Sequence, residues 1–335
     1  VALIQAATVA LPKLDALTGD TLSATGKVEA AAFRFPNSLY RVAIEADERG
    51  GEGKLYSFLE KSADADPTLR VERDEDTGQT VVSAIGEAQV SVLLDRLEGR
   101  TGVKAHTVKL RIPYRETIRR VASAQGRHKK QTGGAGQYGD CWLRIEPNPE
   151  GGYEFVDEVV GGHIPRGFIP AVDKGVQETM VDGVLAGYPM IDVKVAVYDG
   201  SYHPVDSNEM AFKTAARIGF QKAVAQAEPV LLEPMAHLSI TVPDSYAGSV
   251  MGDISASRGR VEGMSATSDQ GATAGHTTIE ATVPYAEVTD YATRLRSLSR
   301  GTGEFEMEVS GYEQVPHDVQ ERLAEEYAQR RAEGR

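Results

Sequence analysis

The chain has 335 residues, 41% hydrophobic and 25% charged, a composition ordinary for globular domains and a length suited to two or three of them. A formal net charge of -13 argues against a surface that wraps nucleic acid wholesale, and no run of about 18 apolar residues offers a membrane-spanning helix. A single cysteine, Cys141, excludes an intrachain disulfide, argues against a cysteine-based metal site, and fits a reducing, cytoplasmic setting.

Residues 1–24 hold two short β-like runs and a turn at Thr18-Gly19-Asp20. They are too few to bury a core, so we expect the tail of a β domain whose body lies upstream. The opening VALIQAATVALPKL has neither the basic start nor the cleavage site of a signal peptide.

Residues 27–105 alternate clearly. FRFPNSLYRVAIEA predicts a strand. GKLYSFLEKSADADP places Leu55, Phe58, Leu59 and Ser62 at helical spacing before Pro67. Thr77-Gly78 marks a hairpin between two strand segments. Val90, Leu93, Leu94 and Leu97 then line a second helix, and VKAHTVKL closes as a strand. The order β-α-β-β-α-β is ferredoxin-like.

The middle domain, 106–230, is expected to hold strands around 107–112, 141–146, 153–159 and 191–198. A helix follows Pro170 and stops at Gly183. A longer helix takes Asp206 as N-cap with Glu209 three residues on, a capping-box pattern, and buries Phe212, Ala216, Gly219 and Ala223. Residues 231–315 repeat the β-α-β-β-α-β order, with a helix from Ser245 to a stop at Gly259 and another carrying Val288, Ala292, Leu295 and Leu298. Residues 316–335 predict a charged, exposed C-terminal helix.

Three stretches are candidates for function. KKQTGGAGQYGD, 129–140, looks partly like a phosphate loop. A Walker loop, however, needs Gly-Lys-Ser/Thr after its glycines, and here Lys129 and Lys130 precede them. The remaining readings are a plain surface turn or a turn that lets another backbone approach closely. GSYHPVDSNE, 200–209, sets His203 and Asp206 before a helix, which raises either a His/Asp hydrolase or a simple loop; no nucleophile elbow or H-E-x-x-H accompanies them. In MGDISASRGRVEG, Arg258 and Arg260 either serve a helix C-terminus or meet RNA phosphates. Between His106 and Lys130, eight Lys/Arg stand against one Glu, which reads as a solvated face or a local phosphate-facing patch.

Seven segments, HKKQTGGAGQYGD, GGHIPRGFIPAVDKGVQE, LAGYPMIDVKV, GSYHPVDSNEMAFKTAA, PVLLEPM, GDISASRGRVEGM and YATRLRSLSRGTGEFEMEV, closely resemble, in order, the C-terminal half of bacterial elongation factor G. VALPKLDALTGDTL resembles the end of that family's domain II, and ADPTLRVERDEDTGQTVVSAIGE its domain III. The resemblance implies a multidomain α+β fold, with two ferredoxin-like units flanking a domain like that of ribosomal protein S5: domain III at 27–105, domain IV at 106–230, domain V at 231–315 and the C-terminal helix beyond.

It further implies a translational GTPase that binds GTP and Mg²⁺ in an upstream domain, with no cofactor in this chain, acting as a cytoplasmic monomer on the ribosome. Domain IV would reach the decoding region and its tRNA and mRNA. Carried over by residue, Lys129, Lys130, Gly133, Gly134, Gln137 and Tyr138 with Ser201 and His203 form the tip of domain IV, and Arg258 and Arg260 face ribosomal RNA. Three departures, Ala135 inside the glycine loop, GEAQVS in place of GELHLD and the thin basic run SASRG, point to a divergent paralogue, acting in translocation or in ribosome recycling or protection.

Overall fold

The computed structural model of the chain describes residues 18–21, 35–131, 136–148, 150–266 and 275–333. The expected domain II tail, apart from residues 18–21, and the glycines Gly133 and Gly134 lie outside the described residues.

The first unit runs β1 (Tyr40–Ala46), α1 (Glu52–Ala65), β2 (Arg70–Arg73), β3 (Thr80–Ala84), α2 (Glu87–Thr101) and β4 (Ala105–Val108). Its antiparallel sheet has the order β2-β3-β1-β4. Leu55, Phe58 and Leu59 of α1 and Val90, Leu93 and Leu97 of α2 are buried, as their spacing requires, against Ile44 and Val82 of the sheet.

In the middle domain, β5 (Arg115–Ile118) precedes β6 (Ala122–Lys130), β7 (Gln137–Pro147) and β8 (Tyr153–Asp157), and α3 (Ile169–Asp182), β9 (Val193–Ser201) and α4 (Glu209–Gln226) follow. The sheet order is β6-β7-β9-β8, with β8 and β9 parallel. Val172, Val176 and Met180 of α3 share a core with Phe212, Ala216 and Phe220 of α4 and with Cys141, Leu143 and Ile145 of β7. The expected strand at 107–112 is corrected. β4 ends at Val108 and pairs with β1, so it belongs to the first unit. The strands overlooked are β5, only four residues long, and β6, whose apolar alternation is hidden by Gly126 and the basic run that follows.

Gly126 is required by packing. A Cβ built there would lie 1.9 Å from the carbonyl oxygen of Ala215, and one at Gly219 would lie 2.9 Å from the Gly126 nitrogen. The helix α4 therefore crosses β6 backbone to backbone. Its start differs from expectation too. Asn208, not Asp206, is the N-cap, accepting from the Ala211 amide at 2.9 Å, because Asp206 is held elsewhere.

The last unit runs β10 (Pro229–Pro243), α5 (Asp244–Ala256), β11 (Arg260–Ala266), β12 (His276–Pro284), α6 (Tyr291–Leu298), β13 (Glu304–Gln314) and α7 (His317–Ala332). Its path β11-β12-β10-β13 repeats the topology of the first unit. The residue in left-handed conformation after α5 is Arg258 (φ 59°), not Gly259. The helix α7 is not simply an exposed helix: Leu323 is buried with Tyr114, Ala186, Leu231 and Val315.

The middle and last units meet at Glu116. β10 is a 15-residue strand; its first residues pair with β5, and the rest runs through the last unit's sheet. Glu116, opposite Leu231, has no exposed surface. Its carboxylate accepts from the amides of Val184 (2.7 Å), Leu185 (2.8 Å), Ala186 (2.7 Å) and Tyr188 (3.1 Å). Four backbone donors thus satisfy a buried charge that no described cation pairs. The loop leaving α3 is folded around it.

Two outcomes follow. Glu116→Gln aims an NH₂ at two or more of these donors and should cost about 2–3 kcal/mol; hydrogen exchange would show Val184–Tyr188 losing protection first, and unchanged protection there would contradict the role. Gly126→Ala should destabilise the middle domain by about 1–3 kcal/mol, since its nearest neighbour is backbone. Burial pushes the Cys141 thiol up to about 12, so it is inert while the domain is folded. Thiol-labelling rates of this single cysteine report the loss, and wild-type labelling in the variant would refute it.

Candidate functional site

At one end of the middle domain, two segments are brought together by the sheet. β6 and β7 pair from Ala122↔Ile145 to Lys130↔Gln137. β9 lies on the other side of β7, with Asp140↔Ser201, and the chain then turns through residues 202–208. A parallel bridge Tyr138↔Ser207 brings that turn back onto β7. The Tyr138 amide donates to the Asp206 carbonyl at 2.9 Å, and the Ser207 hydroxyl donates to the Tyr138 carbonyl at 2.9 Å. Gly136 permits this closeness, since a Cβ there would lie 2.5 Å from the Asp206 carboxyl carbon.

His203 is fixed by its own loop. Its amide donates to Ser207 Oγ at 2.8 Å. The amides of Val205 and Asp206 converge on its Nδ1 at 3.3 and 3.2 Å. Nδ1 therefore presents its lone pair, and the ring proton sits on Nε2. The side chain is 53% exposed. The arrangement does not suit a hydrolase. A His/Asp pair that generates a base needs Nδ1–H donating to the carboxylate and a free lone pair on Nε2. Here Asp206 lies 3.4 Å from a nitrogen that already accepts from two N–H groups.

Beneath His203 runs a hydrogen-bonded line that the sequence reading missed. Tyr138 OH meets Ser201 Oγ at 2.7 Å, Ser201 donates to Asp140 Oδ2 at 2.7 Å, and Gln125 Nε2 donates to Asp140 Oδ1 at 2.8 Å. Asp140 is 7% exposed, so these donors are what make its charge tolerable there. The Tyr138 ring stands 6.4 Å from that of His203, and the Arg127 guanidinium lies 5.6 Å from the Tyr138 ring centre. Only the period-2 alternation of Gln137 to Cys141 could have indicated that Tyr138 and Asp140 share a face.

The remaining candidates divide. Lys129 and Lys130 are exposed at the end of β6, with no carboxylate partner among the described residues. Gln137 closes the hairpin and its side chain meets His128 Nε2 at 3.0 Å. Arg258 and Arg260 are far from free. Arg258 makes a two-pronged pair with Glu233 at 2.6 and 2.9 Å and reaches Glu287 at 3.1 Å, contacts that raise its pKa further above the usual guanidinium range. Arg260 does the same with Glu313 at 2.6 and 3.1 Å. A phosphate contact through either would have to replace an ion pair. The basic stretch from His106 to Lys130 is also not one patch: Arg111, Arg115 and Arg120 pair with Glu45, Asp76 and Glu228.

Three family models match this chain. They are elongation factor G domain III at residues 35–109, elongation factor G domain IV at 110–228, and the elongation factor G C-terminus at 230–323. A crystal structure of a protein from Thermus thermophilus superposes with a TM-score of 0.75 at 39% identity, over 93% of this chain and 45% of that one. The chain thus spans less than half the length of that protein. With its domains matched in order, the chain belongs to the elongation factor G family, of which it carries domains III and IV and the C-terminal domain.

Proposed function

We propose that this chain is the ribosome-binding portion of an elongation factor G-like translational GTPase, and that domain IV promotes movement of tRNA and mRNA by inserting its tip into the decoding region. The observation that carries the reading is the braced His203 loop. Backbone amides donate to Nδ1, which leaves Nε2 of this half-exposed ring as the donor, near the paired end of a hairpin carrying Lys129 and Lys130. An Nε2–H donor on an immobilised loop suits a base edge or a ribose hydroxyl, and the adjacent lysines suit phosphates. Ser207, Tyr138 and Asp206 carry the position of that donor back into the sheet.

GTP hydrolysis is assigned to the part of the longer protein upstream of this chain. Calorimetric titration of the chain with GTP and Mg²⁺ should give no saturable heat; a stoichiometric isotherm would refute that division of labour. In the full-length protein, His203→Ala should slow single-turnover tRNA–mRNA movement about ten-fold or more, the loss of one well-placed donor. Ribosome-stimulated GTP hydrolysis should stay within about two-fold of wild type. Equal loss of both activities would contradict the assignment. Unchanged movement with slowed splitting of ribosomal subunits would transfer the tip to recycling.

A further inference from the structure

We propose that the open face of the domain IV sheet is a stacking platform for single-stranded RNA, with Tyr138, Trp142 and Tyr198 as its rings and Arg127 and Lys129 as its phosphate partners. This goes beyond the tip reading, with which it shares Tyr138 and Lys129, and adds Trp142, Tyr198 and Arg127. The pleat of β7 sends Cys141, Leu143 and Ile145 into the core shared with α3 and α4. Tyr138, Asp140, Trp142 and Arg144 therefore point the other way, onto a face that neither helix covers. Cross-strand pairing puts Lys129 beside Tyr138, Arg127 beside Asp140 and Gln125 beside Trp142. A register shift in β9 next to Trp142 delivers Tyr198 to within 6.3 Å of the indole, ring centroid to ring centroid. All three rings are partly exposed.

Charge selects the occupant. Among the described residues, Arg127 stands over the Tyr138 ring with no carboxylate partner, and Lys129 beside it has none either. The carboxylates on the same face have partners: Asp140 in Gln125 and Ser201, Asp199 in His163 at 2.8 Å and the Gly200 amide, Glu158 in Arg144 at 2.7 Å, and Glu146 and Glu154 in Lys194 at 4.0 and 3.2 Å. Along the β6 edge of this face, what is offered to solvent is aromatic surface beside Arg127 and Lys129. On a sheet, that combination stacks unpaired bases and tracks their phosphates, whereas a duplex hides its bases from it. A basic or apolar protein partner would leave the two cations unmatched.

Trp142 is the only tryptophan of the chain, so the platform contains its own reporter. The 335-residue chain is titrated with an oligouridylate, an oligoadenylate and an RNA hairpin duplex, with tryptophan emission and the anisotropy of end-labelled RNA recorded together. The single strands should quench Trp142 saturably, and the duplex should not. Tyr198→Ala should weaken binding about five-fold or more, while Tyr198→Phe binds as wild type. Arg127→Ala should reduce the slope of log K against log salt by about 0.7. Unreactive Cys141 in each variant certifies the fold. The proposal is overturned by absent quenching, by equal quenching with duplex, or by wild-type binding in both Tyr198→Ala and Arg127→Ala.

Discussion

One buried carboxylate holds the frame together. Glu116 lies where the chain enters the middle domain, where the loop after α3 folds back, and where β10 leaves for the last domain. Its four amide donors fix the 184–188 loop, its own amide and carbonyl bond to Pro189 and Ile191, and its strand pairs with the start of β10. The same loop supplies the surface on which α7 sits: Ala186 joins Leu323, and Gly187 faces the Tyr327 ring. Because a charge in such a place is costly unless every lone pair is met, the arrangement tolerates little slack. Domain IV is thus carried on a rigid root, and whatever its tip does is referred to the C-terminal domain.

Contacts of domain III with the last domain combine Leu39, packed against that domain's core, with several polar bonds. Arg115, adjacent to Glu116, reaches Asp76 on the β2–β3 hairpin and lies 5.9 Å from the Tyr312 ring. Arg41 pairs with Glu72 and donates to the Tyr285 hydroxyl at 3.1 Å, and Arg296 donates to the Ile85 carbonyl at 3.0 Å. The polar bonds are exposed or half-buried, whereas the junction of domains IV and V is anchored by a fully buried carboxylate.

Much of this architecture was legible in the residues. Both β-α-β-β-α-β units follow from period-2 and period-3.6 patterns with turn residues between them, and the buried stripes of α1, α2 and α4 fell where spacing put them. The misreadings have physical causes. β6 was overlooked because Gly126, needed for backbone contact with α4, interrupts its apolar alternation. Asp206 looked like a cap by spacing, yet the tip requires its carbonyl for Tyr138, and Asn208 caps instead. Gly259 looked like the left-handed stop, but Arg258 takes that conformation, anchored by Glu233 and Glu287. At the site, the residue types were legible and the partnerships were not. Nothing in one dimension says that Arg258 and Arg260 are ion-paired while Arg127 and Lys129 are not, or that Asp140 underlies His203 through Ser201 and Tyr138.

The central claim is that the His203 loop reaches the decoding region of the ribosome. Val205, 84% exposed on that loop, is the natural place for a probe. With Cys141→Ser and Val205→Cys in the full-length protein, an iron chelate tethered at residue 205 can cleave nearby RNA with hydroxyl radicals. The account predicts strand breaks clustered in the small-subunit decoding region of the ribosomal RNA and in the bound mRNA. Breaks confined to other ribosomal RNA, or none above an untethered control, would contradict it.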